Sequence, residues 1–205
     1  MGLDAATGDG NCSILASEQG SDPDLPLLRR VAAGDGAACT ALVDRHLGRI
    51  VALGWRMLGD RASAEDVAQE AFLRLWQQAG EWRAGGARLS TWLYRVAVNL
   101  CLDRLRRRRE VALDAAGDPA SDAPHPGTAL QRQAVADRIQ EALARLPERQ
   151  RSAVVLCHFQ ELGNVEAAAV MEIGVEALES LLSRGRRKLR ELLRDDAADL
   201  MGELE

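Results

Sequence analysis

The sequence predicts an all-α protein made of two small helical domains joined by a flexible linker. Three observations predict it. Ala, Leu and Arg dominate the composition, and all three enter a helix at little entropic cost. No run of alternating β-branched residues suits a strand. Residues 110–129, EVALDAAGDPASDAPHPGTA, interrupt helical periodicity with three prolines and two glycines, which divides the 205-residue chain into two blocks.

Residues 1–23 are rich in Gly, Ser, Asp and Ala without periodicity and read as a disordered tail. The first domain is expected over 24–109. DLPLLRRVAAG reads as a short helix stopped at Gly34-Asp35-Gly36. Residues 37–58 place Leu42, Leu47, Ile50, Val51, Gly54 and Met57 at three- and four-residue spacing, the mark of one buried helix face. Gly59-Asp60 ends that helix. Ser63 as N-cap, with Asp66 three residues on, resembles a capping box and opens SAEDVAQEAFLRLWQQA. Its stripe is Val67, Ala71, Leu75 and Gln78, which leaves Gln69 and Phe72 outside the main apolar face. After the loop EWRAGGARLS, Ser90 is expected to cap TWLYRVAVNLCLDRLRRRR.

The second domain is expected over 130–194. Residues 130–146 carry Ala134, Ile139, Leu143 and Leu146. Pro147 suits the first turn of PERQRSAVVLCHFQE. A turn at 162–164, the short helix VEAAAVM and a turn at Ile173-Gly174 lead into a long helix with the stripe Val175, Leu178, Leu182 and Leu189. A short helix, a tight turn and a longer helix with a basic flank make a helix-turn-helix pattern. Residues 195–205 read as an acidic tail.

Net charge is −5, yet its distribution is uneven. From Arg88 to Arg109 there are seven arginines and one acid, Asp103; from Arg184 to Arg190 there are five basic residues and no acid. Residues 1–28 hold five acids and no base, and residues 191–205 hold six acids against Arg194. Such a chain should bind bare DNA poorly unless something holds it in register. No apolar stretch nears the ~18 residues that span a bilayer, and MGLDAATGDGNCS is not a secretory signal. The cytoplasm is the expected compartment.

Cys12, Cys39, Cys101 and Cys157 show no CxxC spacing, and the last three are expected to pack as small hydrophobes. Cys157 and His158 are neighbours and point different ways on a helix. No metal or cofactor is expected. No Gly-rich phosphate loop, HExxH or nucleophile–base pair is present, and His46, His125 and His158 are scattered, so the chain is not read as an enzyme.

Two motifs carry the functional signal. STWLYRVAVNLCLDRLRRRR holds five arginines in six positions, 104–109, more than the dipole of one helix end needs. Such a run can serve as a basic track for a nucleic-acid backbone. AEDVAQEAFLRLW places Asp66, Gln69 and Phe72 in a D-x-x-Q-x-x-F pattern.

Together these motifs make the chain resemble a bacterial RNA polymerase sigma factor of the extracytoplasmic-function (ECF) group, from about Leu27 to Leu193. The resemblance implies that 24–109 is region two and 130–194 is region four. It implies docking on the largest subunits of core RNA polymerase through Asp66, Gln69, Glu70, Phe72, Leu73 and Trp76. It implies a promoter −10 face of Trp82, Arg88, Trp92, Arg95, Asn99, Asp103, Arg104, Arg106, Arg107 and Arg108, with Arg109 ending the basic track. The family's base-capturing loop falls at Arg83–Leu89. Trp92 reads equally as core residue or wedge.

LPERQR and SRGRRKLREL resemble region four, which implies −35 contacts from Ser180, Ser183, Arg184, Arg187 and Lys188, with Arg149 and Arg151 as backbone anchors. The chain departs from that pattern at Glu179 and Leu181, where relatives often carry positive charge. Glu179 is expected to face the groove and either weaken binding or accept from cytosine N4. The partners implied are core polymerase, promoter DNA and an anti-sigma factor, for a stress-response protein that is monomeric when free. The alternative is a sigma-like decoy that sequesters an anti-sigma factor.

Overall fold

The computed structural model describes residues 22–82, 87–115 and 130–202, and every regular element among them is helical. Most of the expected linker lies outside the described residues, as do the tail up to Ser21 and residues 203–205. His125 and Cys12 fall there too.

The first half holds α1 (Leu25–Ala32), α2 (Gly36–Leu58), α3 (Arg61–Gln78), a 3-10 turn (Ala79–Glu81) and α4 (Leu89–Ala115). Helix α2 is the hub and packs on α1, α3 and α4. Its expected stripe is inside at Leu42, Ile50, Gly54 and Met57, while Leu47 is exposed. Asp35 caps α2 by accepting from the amides of Ala37 (2.9 Å) and Ala38 (3.3 Å). Gly59 ends it at φ 74°, a left-handed conformation that costs a glycine little, with its N–H on the Trp55 carbonyl (2.8 Å). A Cβ on Gly54 would sit 3.0 Å from Ala64 Cα, so this glycine lets α2 and α3 meet backbone to backbone.

The second half holds α5 (Leu130–Ala144), α6 (Glu148–Val154), a π turn (Val155–Phe159), α7 (Asn164–Met171) and α8 (Val175–Gly202). Helix α6 packs on α8, and α5 and α7 flank α8.

Several expectations shift. Helix α3 starts at Arg61, and its cap is Asp60, whose carboxylate accepts from the Ser63 amide (2.8 Å). The Ser63 hydroxyl accepts from Arg108 instead (2.9 Å). Bonds from Ser63 hold the Asp60 carboxyl below its usual range. Helix α4 begins at Leu89, so Ser90 lies inside it and is not its cap. Phe72 is buried and belongs to the core after all, because α3 wraps its apolar arc between α2 and α4. Val175 is 37% exposed, and Leu192 takes a place in the buried stripe with Leu178 and Leu182. In the helix-turn-helix the left-handed residue is Glu172 (φ 54°), directly before the expected Ile173-Gly174 turn. Cys101 is fully buried, and burial pushes its thiol up to about 12; Cys39 and Cys157 are half-buried.

The last carbonyls of α2 join the two halves. Gln140 of α5 donates to the carbonyls of Trp55 (3.0 Å) and Arg56 (3.3 Å). Arg151 of α6 donates to Met57 (2.6 Å), and Arg108 of α4 donates to Leu58 (3.2 Å). Arg56 stacks between Trp55 (4.7 Å) and Phe159 (4.4 Å). Buried side chains of both halves form one cluster.

Gly185 tests the packing of the second half. A Cβ there would meet Val154 Cγ2 at 2.8 Å and the Gln150 carbonyl at 3.4 Å, whereas one on Gly174 meets nothing within 4 Å. Gly185→Ala should cost about 1–3 kcal/mol in denaturant unfolding. Gly174→Ala should cost less than about 0.5 kcal/mol. Equal effects would show that α6 and α8 do not cross at Gly185.

Candidate polymerase and nucleic-acid interface

Helix α3 buries Val67, Ala68, Ala71, Phe72 and Leu75 and turns the opposite face outward. Asp66, Gln69 and Leu73 are exposed, and Glu70 is half-exposed. Leu73 is 47% exposed, so this polar face carries one apolar contact point. Glu70 holds Arg74 one turn on (2.8 Å). Trp76 is half-buried, with its ring 5.7 Å from Phe72, so Phe72 supports the face from beneath.

Helix α4 runs beside this face. Asp66, Gln69, Glu70 and Leu73 from α3 meet Leu100, Asp103, Arg104 and Arg107 from α4 around an open groove of about 420 Å³. Two motifs well apart in sequence therefore share one surface. Leu100 and Arg74 complete its lining and were not singled out from the sequence.

The arginines of α4 divide into two sets. Arg104 and Arg108 turn back onto the α2–α3 corner, to the Ser63 carbonyl (3.2 Å) and the Leu58 carbonyl (3.2 Å). Ion pairs with Asp66 (3.8 Å) and Asp60 (3.9 Å) accompany them. Part of the basic track thus braces the fold. Arg106, Arg107 and Arg109 are exposed; Arg106 pairs with Asp103 (3.2 Å) and Arg109 pairs with Glu148. Asn99 and Asp103 are both exposed, one turn apart. They line a second cleft, about 370 Å³, whose far wall is Glu148, Arg149 and Met171 from the second half.

At the start of α4, Trp92 is 9% exposed and meets Trp82 edge to face at 5.7 Å. In this conformation Trp92 is a core residue. Trp82 is half-buried against it, and Arg88 is exposed nearby. Residues 83–86 lie outside the described residues. Arg95 reaches Glu172 (3.3 Å), which adds another contact between the halves.

On α8, Glu179, Ser183, Arg184, Arg187 and Lys188 are exposed, and Ser180 is half-exposed. Lys188 lies 3.7 Å from Glu191. Leu181 is half-buried against the core, so its apolar side chain has a packing role. Asn164, at the start of α7, donates to Glu179 (3.2 Å). That contact was not legible beforehand, since it needs the turn geometry.

Arg151 does not sit where a phosphate anchor would. It is 7% exposed and donates to the carbonyls of Met57, Leu146 and Ala144. Burial lowers its pKa. Arg149 stays exposed on the second cleft. Among the described residues no cluster of His, Cys, Asp and Glu could hold a metal ion, and no helix is long and apolar enough to cross a membrane.

Comparison with known proteins matches residues 42–111 to Sigma-70 region 2 and residues 136–189 to Sigma-70, region 4. The chain is 34% identical over 179 residues to the ECF RNA polymerase sigma factor SigW of Bacillus subtilis, covering 82% of this chain and 95% of that one. It is 32% identical over 197 residues to the RNA polymerase sigma-H factor of Pseudomonas aeruginosa, covering 89% and 100%. Among solved structures it resembles CnrH in complex with the cytosolic domain of CnrY, with a TM-score of 0.63 at 28% identity over 84% of this chain and 98% of that chain. It also resembles the sigma factor RpoE of Bartonella quintana in complex with the anti-sigma factor NepR, with a TM-score of 0.62 at 26% identity over 76% and 96%.

Arg151→Ala should lower the unfolding free energy by at least about 2 kcal/mol, because it strands buried carbonyls that now accept from a charged donor. Thermal unfolding of the free protein measures it. A wild-type midpoint, with a shallower salt dependence of DNA binding, would restore Arg151 as a phosphate anchor.

Proposed function

Because the chain belongs to the ECF group of RNA polymerase sigma factors, we propose that it brings core polymerase to a promoter through three surfaces and opens the −10 element. The observation that carries this is the α3–α4 groove. It joins an acid-and-amide face with an exposed leucine to a helix of arginines and base-facing candidates.

Docking falls to Asp66, Gln69, Glu70 and Leu73, with Phe72 and Trp76 shaping the face from behind. The −10 strand runs along α4. Arg88, Arg95, Arg106 and Arg107 neutralise phosphates. Asn99 and Asp103 offer hydrogen-bonding groups to unstacked bases one turn apart. Arg104 and Arg108 act chiefly by holding α4 against the α2–α3 corner. In region four, α8 enters the major groove with Ser180, Ser183, Arg184, Arg187 and Lys188. Glu179 accepts from a cytosine N4, a reading supported by its exposure on α8.

A sigma factor is an initiation factor without catalysis of its own. Strand opening here comes from trapping unstacked bases. An anti-sigma factor is the proposed regulator, by likeness to the RpoE–NepR pair. The decoy reading rests on Glu179 alone, since Leu181 has a packing role.

Run-off transcription with core polymerase and a genomic fragment library tests the whole reading. Discrete start sites sharing an upstream pair of elements are expected. Core binding without transcripts would favour the decoy. Gln69→Ala combined with Leu73→Ala should weaken core binding at least about tenfold, some 1.4 kcal/mol, with an unchanged melting temperature. Phe72→Ala is unsuited to this test, because emptying a buried aromatic site costs about 3–5 kcal/mol of stability. Glu179→Lys should change the −35 sequence profile; an identical profile would remove Glu179 from the reading face.

A further inference from the structure

The sequence reads as a disordered tail up to residue 23 and a short helix from Asp24, with no partner assigned to Asp22 or Asp24. Both are structural. Asp24 is 3% exposed and accepts from Arg45 and from His46 Nε2 (2.7 Å), so this point of the chain is fixed on α2. Asp22 is tied to it, because Asp22 Oδ1 accepts from the Asp24 amide (3.0 Å). The other oxygen, Oδ2, accepts from the amide of Leu89 (2.6 Å), 67 residues on.

Leu89 is the first residue of α4. Its amide is one of the four that a helix cannot satisfy internally, and a carboxylate there also suits the positive end of the helix dipole. Asp22 therefore supplies this end of α4 with an acceptor from outside the helix. It does so where residues 87 and 88 lead into α4.

The chain up to Trp82 is tied to the same place. Helix α1 packs on the 3-10 turn Ala79–Glu81, and Trp82 stands edge to face on Trp92 in the first turn of α4. One short segment, residues 22–32, therefore touches both the turn Ala79–Glu81 and the first residue of α4. Arg88 lies next to the capped residue on the proposed −10 face.

We propose that Asp22 is a positioning residue for −10 recognition: through Leu89 it fixes the loop end and the first turn of α4 against the unstacked strand, without touching DNA or core polymerase. This rests on the reading of α4 as the −10 surface.

The test uses full-length protein with core polymerase on a promoter recovered by the run-off library. Asp22→Ala should slow strand opening, read by a fluorescent adenine analogue in the −10 element, about fivefold, the size of a lost N-cap. Affinity for core polymerase should stay within twofold of wild type. Asp22→Asn should restore opening, because its amide oxygen still accepts from Leu89. Opening at the wild-type rate in Asp22→Ala would overturn the proposal. So would equal loss of core binding and opening, which would mark Asp22 as a general fold residue. Failure of Asn to rescue would overturn the cap. A wild-type protein that yields no transcripts would instead sink the functional reading beneath it.

Discussion

The structure depends on how the last turn of α2 is satisfied. A helix leaves its final four carbonyls without internal partners, and burying them unpaired is costly. Here the four belong to Trp55, Arg56, Met57 and Leu58. Gly59 and Gln140 serve the first, Gln140 the second, Arg151 the third and Arg108 the fourth. Two of these donors are guanidinium groups at the negative end of a helix, where cations are favoured. Three different helices converge on one helix end. Their positions follow: α4 is held along α3 by Arg108, and the second half is seated by Gln140 and Arg151.

Much of this was legible in the sequence, and the rest was not, for physical reasons. Helices are local, so their periodicity gave all the main elements, most within a few residues of their ends. Caps were harder, because several residues compete for one amide. Ser63 and Ser90 looked like caps, yet Asp60 and Asp22 take those roles. Asp22 was beyond reach, since its partner is far away in the chain. Burial of Phe72 and Trp92 was obscured by their motif positions. An aromatic in a docking motif invites exposure, while packing between neighbouring helices decides it. The partition of the arginines was also hidden. A run of like charge looks uniform in sequence, but on α4 successive arginines point to different sides, and Arg104 and Arg108, one turn apart, both find carbonyls.

The same distinction separates Leu181, which packs on the core, from Glu179, which does not. Loss of a charge at 181 is accounted for by its contact with the core. Glu179 has no such account: it is exposed and oriented by Asn164. An exposed carboxylate on the same helix as Ser183, Arg184 and Arg187 is a poor neighbour for phosphate and a suitable acceptor for a base amine.

The contacts between the halves are arranged unevenly. Arg95–Glu172 (3.3 Å) and Arg109–Glu148 lie at the rim, where exposed ion pairs contribute about 0–1 kcal/mol each, while the nearly buried Thr91 meets Glu166 at 3.2 Å. Arg151 and the part-buried Gln140 are the inner links, and two of the three acceptors of Arg151, Ala144 and Leu146, belong to its own half. If the halves part, Arg151 keeps those two and gives up one, and the Met57 carbonyl gains water in exchange. The desolvation that makes a lost buried partner expensive is then largely avoided. Asn99 and Asp103 stand in the cleft that such a parting would widen, opposite Arg149 and Met171. The bonds within each half are largely kept, and such a parting gives up the Gln140 and Arg151 bonds to α2, the rim pairs and the cation–π stacking of Arg56 on Phe159.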